Sequence, residues 1–136
     1  MADPRMQRRH GWQGLDGELH ADDFEQTRLA VGPALLVATL LLEHIDWRRG
    51  VESIAALRPG VCAIVIQENP PGMATAVTPG RVVPSSIAKA METAHATLVA
   101  RAELVAAMAG RGYELRSEEA REVADGKRLV GLLFRA

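Results

Sequence analysis

The stretch "VCAIVIQE", residues 61–68, fixes where a sheet must lie. Val61, Ala63 and Val65 alternate with Cys62, Ile64 and Ile66. Successive side chains of a strand point to opposite faces. Both sets are apolar here, so the spacing predicts a central strand covered on both sides. Hydrophobic residues make up 48% of the chain but aromatics only 4%, so the core must be built from aliphatic side chains.

Downstream of this strand, Asn69-Pro70-Pro71-Gly72 reads as a turn by composition. A short strand in "MATAV" and a Pro79-Gly80 turn are expected next. Pro70, Pro71, Pro79 and Pro84 restrict the freedom of this connection. Ser85 or Ser86 then supplies an N-cap. A long helix is expected over 85–110, with Ile87, Met91, Ala94, Leu98, Ala102, Val105 and Ala109 on one stripe. The closing "KRLVGLLFRA" predicts a strand near 127–134. Between these, residues 117–120 read as a helix start, and Asp125-Gly126 as a hairpin turn. The hairpin is preferred, which makes 113–124 a further strand.

Upstream, Asp46 is positioned to cap a helix over 46–57 that ends at Arg58-Pro59-Gly60. Another helix is expected near 23–45, opened by Asp22 with Glu25 three residues on and kinked at Gly32-Pro33. Residues 34–45 are apolar nearly all round, the mark of a helix buried in a core or between subunits. The expected class is therefore α+β, a small sheet packed by helices. Residues 1–21, polar and glycine-punctuated, are expected to form a flexible tail that Trp12 and Leu15 could anchor, and 22–136 a single domain.

Composition limits the partners. With 16 Lys and Arg against 17 Asp and Glu, the net charge is −1, so nucleic acid and anionic membrane surfaces are not expected partners. Arg8, Arg9, Arg48 and Arg49 lack the interleaved aromatics of a nucleic-acid site. One cysteine, Cys62, forms neither an internal disulfide nor a thiolate zinc site, and in a buried strand it should be inert. No apolar segment follows Arg5, Arg8 and Arg9 as in a signal peptide. The longest apolar run, 29–42, falls short of the about 20 residues a membrane helix needs. A cytoplasmic location with no membrane contact is the expectation.

No nucleophile elbow, phosphate loop or dinucleotide fingerprint occurs, so no motif names a reaction or a cofactor. His95 and His44 are the candidate acid/base groups. His44 lies between Glu43 and Asp46, either of which could orient it. Glu92-x-x-His95 has helical spacing for two ligands to one metal, though a full bundle site needs more such residues. The loop 68–86 is the best candidate ligand site: Glu68 and Asn69 end a strand, and Arg81, Ser85 and Ser86 stand at a helix start. Together they suit a small anion. The leading expectation is a cytoplasmic accessory or interaction protein acting as a homo-oligomer, because segment 34–42 and the stripe of 85–110 leave apolar surface to cover. The alternative is a small-molecule binding protein or enzyme that takes an anionic ligand in 68–86. A metal protein using Glu92 and His95 is the third reading.

Overall fold

A computed structural model describes residues 17–18, 20–72, 86 and 97–136. Strands β1 (Leu35–Thr39), β2 (Val61–Glu68), β3 (Glu114–Glu122) and β4 (Arg128–Arg135) form one sheet in the order β1-β2-β4-β3. Helices α1 (Trp47–Leu57) and α2 (Arg101–Ala109) accompany it, so the class is α+β as expected.

β1 runs parallel to β2, with Leu35 opposite Val61 and Thr39 opposite Val65. Parallel neighbours need a crossover, and α1 provides it. Asp46 opens α1 by accepting the Arg48 and Arg49 backbone N–H groups at 3.0 and 3.4 Å. Arg58 closes the helix in the left-handed region, and the buried Pro59 follows. Trp47, Val51, Ile54 and Leu57 form its inner face. β4 pairs antiparallel with both β2 and β3. The β3–β4 connection is a tight turn with Asp125 at φ 65° and Gly126 at φ 69°, the geometry for which Asp-Gly is suited. The hairpin expectation therefore holds.

The core lies between one sheet face and the two helices. Cys62, Ile64 and Ile66 of β2 and Val130, Leu132 and Phe134 of β4 are buried against Val51, Ile54, Leu104 and Met108. Each large aliphatic side chain so buried contributes roughly 1.5–3 kcal/mol relative to exposure. Tyr113 enters the same core and donates its hydroxyl to the Pro59 carbonyl at 3.0 Å.

Three expectations need correction. The helix near 23–45 is not formed. Its first part is a loop in which Asp22 accepts the Thr27 hydroxyl at 2.5 Å and the Arg28 N–H at 3.1 Å. These bonds, the Thr27 one foremost, hold the Asp22 carboxyl below its ordinary range. The second part is β1. An apolar run with no polar face is also what a parallel strand shows, and periodicity cannot separate the two. The continuous helix over 85–110 is not formed either. Residues 97–100 are non-helical, and Ala100 is extended where α2 begins. α2 buries Leu104 and Met108, whereas the expected stripe residues Ala102 and Ala109 are exposed. Finally, β2 is buried on one face only. Val61, Ala63 and Val65 are half-buried on the other, where Leu35 and Val37 of β1 are 54% and 63% exposed.

Cys62 is wholly buried, and desolvation pushes its thiol up to about 12. The folded state thus holds the proton more tightly than the unfolded state. The resulting contribution to stability is complete below pH 9, the ordinary value, and is lost as pH rises toward 12. Native protein at pH 8 should leave Cys62 unmodified by a thiol-reactive dye until denaturant is added, and urea midpoints should fall above pH 9. Fast labelling without denaturant would contradict this burial.

Candidate functional site

The carboxyl ends of β1 and β2 gather the polar groups that packing alone does not account for. β1 ends at Thr39, and Leu40 follows with φ 52°. A leucine in the left-handed region costs roughly 1–2 kcal/mol. The Leu40 N–H donates to the Val65 carbonyl at 2.9 Å, which holds it there. A 3₁₀ turn, Leu42–His44, comes next and swings Glu43 beneath the sheet end.

Glu43 is only 3% exposed. One carboxylate oxygen accepts the Gln67 backbone N–H at 2.7 Å, tying the turn after β1 to the end of β2. Its own carbonyl accepts the Thr97 N–H at 2.7 Å, drawing in the segment before α2. The other carboxylate oxygen has no hydrogen-bond partner and is the one such buried side-chain atom among the described residues. A buried acceptor left without a partner costs free energy, and native structures keep few. Gln67 continues the cluster by donating its side-chain amide to Asn69 at 2.7 Å.

Glu68 is taken up by structure. It accepts Arg128 at 2.5 Å and faces the Arg101 guanidinium at 3.5 Å. Arg101 also pairs with Glu118. These contacts join β2, β3, β4 and α2, and the Glu68 bond holds the Arg128 guanidinium above its usual value. His44 is exposed, but among the described residues no carboxylate orients it: Glu43 turns inward, and Asp46 caps α1. Asn69 lies beside Gln67 at the site, and Ser86 is exposed and helical. Arg81, Ser85, Glu92 and His95 lie outside the described residues. Among the described residues, no group of histidine, cysteine and carboxylate side chains could hold a metal. The expectation missed Glu43 as a buried group. The signal lay in its place, a lone carboxylate directly after a very apolar run.

A groove of about 540 Å³ runs between α1 and α2, floored by Trp47, Val51 and Ala107. The Arg48–Glu103 and Arg111–Glu52 pairs bridge its sides. Arg48 also stacks over Trp47 at 4.2 Å, and Arg49 lies 3.9 Å from Asp46, so both arginines are engaged by neighbours of their own.

No family model and no curated protein matches the chain. Its fold is similar to that of magnesium protoporphyrin IX methyltransferase (ChlM) from Synechocystis PCC 6803, solved with SAH bound. The TM-score is 0.56 at 11% identity, over 85% of this chain and 49% of that one. It is also similar to LepI in complex with SAM, with TM-score 0.53 at 11% identity over 83% of this chain and 29% of that one. A second LepI structure, of a variant in complex with SAH and a substrate analogue, gives TM-score 0.51, again at 11% identity, over 83% of this chain and 28% of that one. The chain thus spans half or less of these structures. This likeness is one of fold. The accessory-protein expectation is corrected by these neighbours, which were solved with SAH or SAM bound. One of the two grounds for the homo-oligomer expectation is removed, since 34–42 holds a sheet strand rather than an all-apolar helix. No helix among the described residues is long and apolar enough to cross a membrane.

Glu43→Ala should cost about 1–3 kcal/mol, because it takes the carboxylate acceptor from the half-buried Gln67 N–H. Glu43→Gln keeps that acceptor and removes the unpaired charge, so it should cost under about 1 kcal/mol. Urea denaturation of the two variants checks the order. Equal losses would show that the carboxylate bond to Gln67 contributes little.

Proposed function

We propose that this chain forms part of a small-molecule enzyme whose ligand sits at the carboxyl ends of β1 and β2. The observation that carries the reading is the Glu43 carboxylate, held between both strand ends with one oxygen unpartnered. In sheets with crossover helices, ligands bind beyond the carboxyl ends of the strands. The neighbours' bound SAH and SAM supply the ligand class, an adenosyl sulfur compound. Such a compound carries hydroxyl and ammonium donors that suit a spare carboxylate oxygen, and SAM supplies a transferable methyl group when bound.

In this reading Glu43 fixes the turn and accepts a donor from inside the crevice. Asn69 lies at the crevice edge, and exposed His44 is the acid/base candidate. Arg81, Ser85 and Ser86 are proposed, from their sequence positions alone, to bind the ligand's carboxylate. His95 remains a second acid/base candidate on the same ground.

Titration with S-adenosylhomocysteine, followed by amide NMR shifts, tests the site. Shifts confined to Thr39 through His44 and Gln67 through Asn69 are expected at roughly 1 mM ligand, the weak end of specific binding. The Glu43→Gln variant should weaken them. No shift at these amides, or shifts centred on the β3–β4 hairpin, would overturn the assignment.

A further inference from the structure

Three segments meet at the carboxyl end of the sheet, and Glu43 ties them together. The parallel ladder between β1 and β2 closes with the Leu40 N–H on the Val65 carbonyl. The next β2 donor on that side is the Gln67 N–H, because alternate residues of a strand face the same neighbour. It goes to the Glu43 carboxylate at 2.7 Å. The Glu43 carbonyl in turn accepts the Thr97 N–H at 2.7 Å. Side chain and main chain of one residue thus hold the end of β2 and the start of the segment leading into α2.

That segment is fastened again at its far end. Val99 is buried in the core, while Thr97 and Ala100 are exposed. Ala100 opens α2 with no side-chain cap, in contrast to Asp46 at α1. Alanine is a poor N-cap. The anchor is instead Arg101, which faces Glu68 at 3.5 Å and pairs with Glu118. Residues 97–101 are therefore a strap from Glu43, in the turn after β1, to Glu68, at the end of β2. A segment with few buried side chains and an uncapped helix start opens locally at lower cost than the body of a fold. The body of α2, which buries Leu104 and Met108, is better held.

We propose that the strap 97–101 and the carboxyl end of β2 open and close as one unit, a clasp on the crevice coupled through Glu43. In the closed form the Thr97 and Gln67 N–H groups are both bonded to Glu43. Opening releases both bonds together, since moving the 42–44 turn moves the Glu43 carbonyl and carboxylate at once. A ligand donor that takes up the spare carboxylate oxygen favours the closed form, and so shifts the clasp toward closure. The ligand's part rests on the reading of the crevice given above; the coupling of the two bonds does not.

Native-state amide hydrogen exchange of the full chain tests the coupling without ligand. Corrected for intrinsic rates, Thr97 and Gln67 should show the same protection, and less than Met108 in the body of α2. Arg101→Ala should speed both amides by a common factor of roughly five, as loss of a surface ion-pair network allows. Glu43→Ala leaves in place the carbonyl that Thr97 uses, yet Thr97 should exchange roughly tenfold faster, because the carboxylate bond that holds the turn is lost. Arg111→Ala, which removes the Glu52 pair at the other end of α2, should change neither amide. An Arg101→Ala effect on Thr97 but not on Gln67 would overturn the clasp. So would a Thr97 rate unmoved by Glu43→Ala, or equal acceleration by Arg111→Ala. Added S-adenosylhomocysteine should slow both amides together. If it shifts the crevice amides but leaves Thr97 exchange unchanged, the clasp falls and the ligand reading stands. If it shifts none of them, the ligand reading falls and the ligand-free rates still decide the clasp.

Discussion

The parallel pairing of β1 with β2 constrains everything else in this molecule. It forces a crossover, and α1 takes that role with Asp46 at its start and Arg58 at its end. The crossover places α1 over the face of Cys62, Ile64 and Ile66, where α2 and Tyr113 complete the core. It also brings two strand ends side by side, each with backbone groups pointing out of the sheet. A pair of antiparallel strands joined by a short turn would have produced no such end.

Glu43 shows how that geometry becomes a site. Its carboxylate spans from the turn after β1 to the Gln67 N–H of β2, and its carbonyl reaches Thr97. Three chain segments therefore meet at one residue. The unpartnered oxygen lowers stability, so packing alone does not account for it. Glu68, only a residue beyond Gln67, behaves in the opposite way. Its carboxylate is satisfied by Arg128 and Arg101 and serves the sheet.

Much of this was legible in the sequence, and the errors have physical causes. "VCAIVIQE" showed β2 with its bounds, because alternation and the flanking Pro59-Gly60 and Asn69-Pro70 left no other reading. The Asp46 cap was equally plain, since it depends on local chemistry, whereas the Asp125-Gly126 turn competed with a helix start at residues 117–120. β1 was not legible as a strand. Five apolar or small residues in a parallel pair carry no polar alternation, and the pairing that decides the matter lies 26 positions away, as Leu35 opposite Val61 shows. The break at 97–100 was hidden for a similar reason: Thr97 is held by the distant carbonyl of Glu43. At the site, Asn69 was legible as a strand-end group, but the burial of Glu43 follows from a turn that only the strand reading of 35–39 predicts.

Amide hydrogen exchange across residues 34–41 of the free chain tests the account most directly. If β1 is a strand paired on one side only, Leu36, Ala38 and Leu40 exchange slowly and Leu35, Val37 and Thr39 exchange fast. Uniform protection across these residues, as a buried helix would give, would contradict the parallel pair and the site built at its end.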